Sequence, residues 1–108
     1  MRWPLFRVAV AEWSMQPAVE PGDWLVVLRT TRAKPGQLVI SVNPEKPGML
    51  LVKRLGRCLP DGTYWLESDN PAAGAVDSRS FGPVTAIAGR VLFRYHRAHH
   101  RAPQPPAT

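Results

Sequence analysis

The apolar residues of this chain fall in short runs separated by turn residues, with no long stripe at helical spacing. Residues 5–11 alternate around Val8 and Val10 and predict a strand. Residues 24–28 form an aliphatic, β-branched run that reads as a strand buried on both faces. Further strands are predicted over 37–42, 49–55, 63–67 and 84–95, the last with Gly89 at a bend or bulge. Turn chemistry separates them at Glu20-Pro21-Gly22-Asp23, Lys34-Pro35-Gly36 and Pro60-Asp61-Gly62, where proline sets φ and glycine accepts positive φ. Residues 43–48 read as a loop. Residues 14–17 read as an exposed strand end, because the residue before a proline is pushed toward extended geometry. Residues 68–83 show little periodicity and predict a long ordered loop, a feature that is usually functional in a compact domain. The fold class is therefore mainly β, a small folded antiparallel sheet or barrel-like arrangement. It occupies residues 1–96 as one domain, followed by a basic, proline-rich tail over 97–108 that is expected to be flexible.

Composition narrows the chemistry. The chain has 108 residues, 44% hydrophobic and 20% charged, which is ordinary for one globular domain. Twelve prolines and eight glycines favour short strands over long helices. A single cysteine, Cys58, excludes an internal disulfide framework and a cysteine-based zinc site. No apolar run approaches the length that spans a bilayer, and the N-terminal run is too short for a secretory signal. A cytoplasmic location is expected, with a peripheral position at the membrane as the alternative. The net charge of +6 raises nucleic-acid binding as a class. Near the C-terminal arginines, however, only Phe93 and Tyr95 are available for base stacking, and both fit a core strand, so no nucleic acid is expected. The histidines stand at 96, 99 and 100, beside the expected tail, which is a poor place for a rigidly held base or a metal site.

With histidine set aside, the base open to a serine nucleophile is a neutral lysine. In residues 50–55, alternation places Leu51, Lys53 and Leu55 on one face and Arg54 on the other. A lysine between two leucines either snorkels to the edge or is desolvated, and desolvation lowers its pKa.

Ser14-Met15-Gln16-Pro17 followed by Pro21-Gly22-Asp23 resembles the nucleophile box of the signal peptidase I family of serine endopeptidases. Val52-Lys53-Arg54-Leu55 resembles its general-base box. Asp69-Asn70-Pro71, Asp77-Ser78-Arg79 and Phe81-Gly82-Pro83-Val84 resemble its third box, which ends near Gly89-Arg90-Val91. The boxes occur in the family order. The resemblance implies an antiparallel β fold with a Ser/Lys dyad. Ser14 is the nucleophile and its N–H an oxyanion donor, Lys53 is the general base, and substrates carry small side chains before the cut. It implies no metal and no cofactor. Asp77 and Arg79, with Asp69, would tie down the long loop. Glu12 stands where the family has glycine or a small hydroxyl residue, and Ser68 where glycine usually precedes Asp-Asn. The lysine-orienting serine of the third box has no direct counterpart, since Gly74 and Ala75 occupy that region; Ser68 and Ser78 are the alternatives.

A short member without a preceding membrane anchor most resembles the nickel-type superoxide dismutase maturation proteases. That implies a precursor protein with a leader peptide as the partner. Two alternatives remain. One is a self-cleaving repressor-type peptidase domain, which would carry a DNA-binding helical segment that the pattern does not predict. The other is a non-enzymatic basic β domain.

Overall fold

A computed structural model describes residues 3–73 and 76–96. Six strands form one sheet: β1 (Leu5–Ala9), β2 (Asp23–Leu28), β3 (Leu38–Asn43), β4 (Lys46–Cys58), β5 (Tyr64–Glu67) and β6 (Gly89–His96). Their order across the sheet is β1-β2-β6-β3-β4-β5, and all pairings are antiparallel. The mainly β expectation holds. The expected tail, with His99 and His100, lies outside the described residues.

Two apolar clusters form the core of the described residues. One gathers Val10, Met15, Val19, Leu25, Val27 and Ile40. The other gathers Val39, Leu55, Leu66, Val84 and Ile87. Val39 and Ile40 are neighbours in β3 and point to opposite faces, so β3 is the strand covered on both sides. That role was expected of residues 24–28. In β2 Asp23, Leu25 and Val27 are fully buried, while the half-buried Trp24, Val26 and Leu28 alternate toward the other face. Leu5, Arg7 and Ala9 of β1 stand opposite Leu28, Val26 and Trp24, and among the described residues no second layer covers this outer sheet face. Phe93 shares it: the register pairs it with Val26, and at 56% exposed it is no core residue.

The predicted turns form. Asp23 N–H donates to Glu20 O at 3.0 Å, with Gly22 at φ 97°. Gln37 N–H donates to Lys34 O at 3.1 Å, and Leu59 N–H to Thr63 O at 2.8 Å. Several boundaries differ from expectation. The 43–48 loop shrinks to a tight turn, since Asn43 already pairs with Lys46 and its Oδ1 accepts the Glu45 N–H at 2.8 Å. The last strand begins only at Gly89; before it, Val84 makes an isolated bridge to Tyr64. Gly89 marks a close approach of chains, where a Cβ would press on Val27 and come within 2.8 Å of Leu28 O. The bulge lies beyond it, at Leu92, where pairing steps from Val26↔Phe93 to Val27↔Val91. The 68–83 loop carries two short helical turns, Pro71–Ala73 and α1 (Ser78–Phe81).

Candidate active site

Residues 11–22 leave β1 and return into β2. Val10 N–H donates to Asp23 O at 2.9 Å and Gly22 N–H to Val10 O at 3.2 Å, closing the neck of this excursion. Within it, Gln16 N–H reaches Trp13 O at 3.1 Å and Val19 N–H reaches Met15 O at 3.1 Å. Residues 14–17 are therefore a folded turn rather than the exposed strand end expected from Pro17. Met15 and Val19 explain it: each is 1% exposed and inserts into the first cluster, and that burial overrides the local extended preference. The Gln16–Pro17 peptide is cis.

Ser14 sits on this turn, itself buried, and its hydroxyl has no hydrogen-bond partner among the described residues. Its carbonyl is held from across the fold. Asn70 N–H donates to Ser14 O at 2.8 Å, and Asn70 Nδ2 donates to Trp13 O at 3.2 Å. Asn70 thus clamps the serine turn to the long loop. The sequence placed it in a box without a role, and an asparagine before a proline carries no signal of its own beyond turn propensity.

Lys53 lies in β4 opposite Val39, between Leu51 and Leu55 as alternation predicts. It does not snorkel: it is 1% exposed, the largest fully buried side chain of the described residues. Its Nζ donates to Ser68 Oγ at 3.0 Å. Ser68 is fixed in turn, its N–H donating to Asp77 Oδ2 at 2.8 Å. Asp77 is buried and caps α1, its Oδ1 accepting Arg79 N–H at 2.9 Å. The Arg79 guanidinium closes over it, with Nη2 at 2.7 Å from Asp77 Oδ2 and 3.3 Å from Ser68 O. Lys53, Ser68, Asp77 and Arg79 form one connected chain.

Burial pushes the Lys53 pKa down, the charges of Asp77 and Glu12 push it up, Arg79 pushes it down, and the balance lies below an ordinary lysine. Burial alone would raise the Asp77 pKa. Hydrogen bonds from the Arg79 side chain and from the Ser68 and Arg79 N–H groups outweigh burial, with the Arg79 charge, and hold it at about 2.

The other candidates separate. Ser78 is fully buried, but its Oγ accepts the Leu66 N–H at 2.8 Å and serves α1 and β5. Of the two serines considered for Lys53, the structure brings Ser68 to it. Asp69 pairs with Arg54 on the opposite face of β4, Oδ2 to Nη2 at 2.5 Å, tying the long loop to that strand. Asp77 and Arg79 are joined as expected, but with the carboxylate buried they are more than a surface ion pair.

Ser14 and Lys53 line one cavity of about 160 Å³, walled by Val8, Val10, Leu51 and Val52. Lys53 Nζ and Ser14 Oγ are not hydrogen bonded to each other; such bonds often tighten only when substrate binds. The Ser14 backbone N–H also has no acceptor among the described residues. A hydroxyl, a donor N–H and a buried, deprotonatable amine meeting at one apolar cavity make up the parts of a Ser/Lys acyl-transfer site. A larger depression of about 710 Å³ opens beside Tyr64, Cys58 and Arg90 and contains none of these groups. Among the described residues no cluster of metal-ligating side chains occurs, and no helix is long and apolar enough to cross a membrane.

A search of the curated proteins found no match. A family model described as peptidase S24-like matches residues 3–92, a span that includes both serine turn and lysine strand, and on that match the chain belongs to the peptidase S24-like family.

Proposed function

We propose that this protein is a serine endopeptidase of the Ser14/Lys53 type that trims a leader from a precursor protein, with a nickel-type superoxide dismutase precursor as the substrate to test first. The observation that carries the reading is Lys53, fully buried and fixed on Ser68 at the cavity that Ser14 lines. A fold tolerates a desolvated lysine at considerable expense, and a proton acceptor is the use that such an amine serves.

In this mechanism neutral Lys53 Nζ takes the Ser14 hydroxyl proton as Oγ bonds to the scissile carbonyl carbon. The carbonyl oxygen becomes an oxyanion that accepts from the Ser14 N–H. The C–N bond then breaks as Lys53 returns the proton to the leaving amine, giving an acyl-Ser14 ester. Water, deprotonated by the same lysine, attacks the ester and releases the new carboxyl end. The apolar wall of the small cavity suits a small uncharged side chain beside the cut.

The test is incubation of purified protein with a leader-bearing dismutase precursor, followed by mass spectrometry. Wild type is expected to yield one defined cut, and Ser14→Ala and Lys53→Arg none, since guanidinium does not give up its proton. Full processing by Ser14→Ala ends the reading. The family match favours a second reading, self-cleavage. It predicts that purified wild type alone truncates as pH is raised and that Ser14→Ala does not.

A further inference from the structure

Ser14 and Glu12 border a second cavity as well, of about 490 Å³, which also takes in Trp13, Glu45 and Lys46. Resting on the assignment of Ser14 as nucleophile, we infer that Glu12, Glu45 and Trp13 form a cation-accepting subsite that selects an arginine or lysine side chain in the substrate, close to the scissile bond.

The chain's acidic groups point to this. It has only eight Asp and Glu residues against fourteen Lys and Arg. Six of the eight are engaged by their own fold. Asp23, Asp69 and Asp77 hold arginines. Asp61 accepts from Thr63, Glu67 from Trp65 Nε1, and Glu20 from Gln16 Nε2. The two whose carboxylates accept no hydrogen bond and join no ion pair among the described residues are Glu12 and Glu45, and both line the cavity at Ser14.

Three aromatic rings are covered by arginines, while among the described residues the exposed Trp3 and Phe93, like Trp13, are not. Arg7 stacks over Trp24, Arg29 over Phe6 and Arg57 over Trp65. Trp13 is 51% exposed, lines the same cavity and carries no such arginine among the described residues. Two carboxylates beside an open indole make a receptor for a planar or compact cation. Lys46 is the cavity's opposing charge. It is exposed at the β3–β4 turn, where its ammonium can turn to solvent. Ser14, buried yet unpartnered, marks the same cavity as a place where a polypeptide docks.

The experiment uses a randomised decapeptide library and two readouts. In the first, wild type cleaves the library and the cut sites are sequenced. Arg or Lys is expected to be enriched at one position flanking the cut, and on the alkaline plateau, where Lys53 is neutral with or without Glu12, a Glu12→Gln/Glu45→Gln variant is expected to lose about five- to tenfold in kcat/KM on such peptides relative to neutral ones. In the second, Ser14→Ala protein retains peptides by affinity, with and without the two Gln substitutions. Basic peptides are expected to be retained, and the enrichment to vanish in the Gln variant. The net charge of +6 would by itself attract acidic peptides, so nonspecific attraction cannot imitate this result. No basic preference in the retained peptides, or a preference that survives both Gln substitutions, overturns the subsite. Loss of cleavage with retained basic selection instead overturns the catalytic reading and leaves the subsite standing.

Discussion

The two sides of the candidate site are built on opposite plans. Around Lys53 every described polar group has a partner, in a relay that runs through Ser68 and Asp77 to Arg79. Around Ser14 the main-chain carbonyl is clamped by Asn70, but the hydroxyl, the N–H and the Glu12 carboxylate are left open. On the proposed assignment of Ser14 as nucleophile and Lys53 as base, the contrast follows from what each group must do. A base needs its pKa and position fixed before substrate arrives, and a complete hydrogen-bond network achieves this in a low-dielectric site. A nucleophile and its oxyanion donor need vacancies that only the substrate fills.

The largest effect expected from breaking the wired side is at Lys53. Lys53→Met and Lys53→Arg should both lower kcat/KM by about 10²- to 10⁴-fold, the usual loss of a general base. They should part in stability. Because burial lowers the folded pKa, the native state binds fewer protons than the unfolded chain between that pKa and about 10.4, so wild-type stability rises with pH across this window. Below the window the full desolvation penalty applies. Lys53→Met removes it, so the variant should melt higher than wild type at about pH 6, with the gap closing toward pH of about 10. A Lys53→Met protein that melts lower at every pH would show that the lysine is a charged structural partner.

Next in size is Asp77, the group on which the relay converges. Its folded pKa of about 2 lies below the ordinary 3.8, so its contribution is complete above pH of about 4 and is lost as pH falls toward 2. The difference amounts to about 2 kcal/mol, or roughly 8–16 °C in Tm for a domain of this size. Asp77→Asn should melt lower by about that much at pH 7 and show a flatter acid limb. Equal acid sensitivity in variant and wild type would place the limb elsewhere.

The unequal wiring also explains what could be read from sequence. Strands and turns were legible because alternation and Pro/Gly chemistry are local. The strand face of Lys53 was legible from the same alternation, but its burial was not, since a lysine between Leu51 and Leu55 could equally snorkel to the edge. The fold of residues 14–17 was not, since it depends on Met15 and Val19 finding a core assembled from β2 and β3. Nor was the choice between Ser68 and Ser78. Both are buried serines flanking one loop, and only the path of the chain through Pro71–Ala73 and α1 decides which one faces β4. The Arg54–Asp69 tie and the Asn70 clamp join distant segments and carry no local pattern.

That choice of serine can be tested with a pair of variants. Ser68→Ala removes the 3.0 Å bond that orients Lys53 and should lower kcat about tenfold with KM unchanged, because Ser68 touches the base rather than the substrate. Ser78→Ala leaves the Leu66 N–H without its acceptor and should lower stability by about 1–3 kcal/mol with kcat nearly intact. A reversed outcome, with kcat falling only in Ser78→Ala, would mean that the relay is structural and Lys53 takes its orientation elsewhere.

The smallest effect crosses from one side of the site to the other. Glu12 belongs to the open side, yet its charge reaches Lys53 and raises the lysine pKa, as does Asp77, against burial and Arg79. Neutralising it in Glu12→Gln removes one of the two influences that favour the ammonium. The rising limb of the pH–rate profile should therefore move to lower pH, while the alkaline plateau, where Lys53 is already neutral, stays unchanged. Measured on a substrate without basic residues, so that the subsite has nothing to hold, the variant should outpace wild type on the acid side of the limb by less than about threefold, the scale of a solvent-screened charge pair. Asp77→Asn moves the limb the same way but loosens the loop with it, so Glu12→Gln is the cleaner test of electrostatics alone. A limb that stays in place, or moves to higher pH, would mean that the proton governing the rate is not on Lys53.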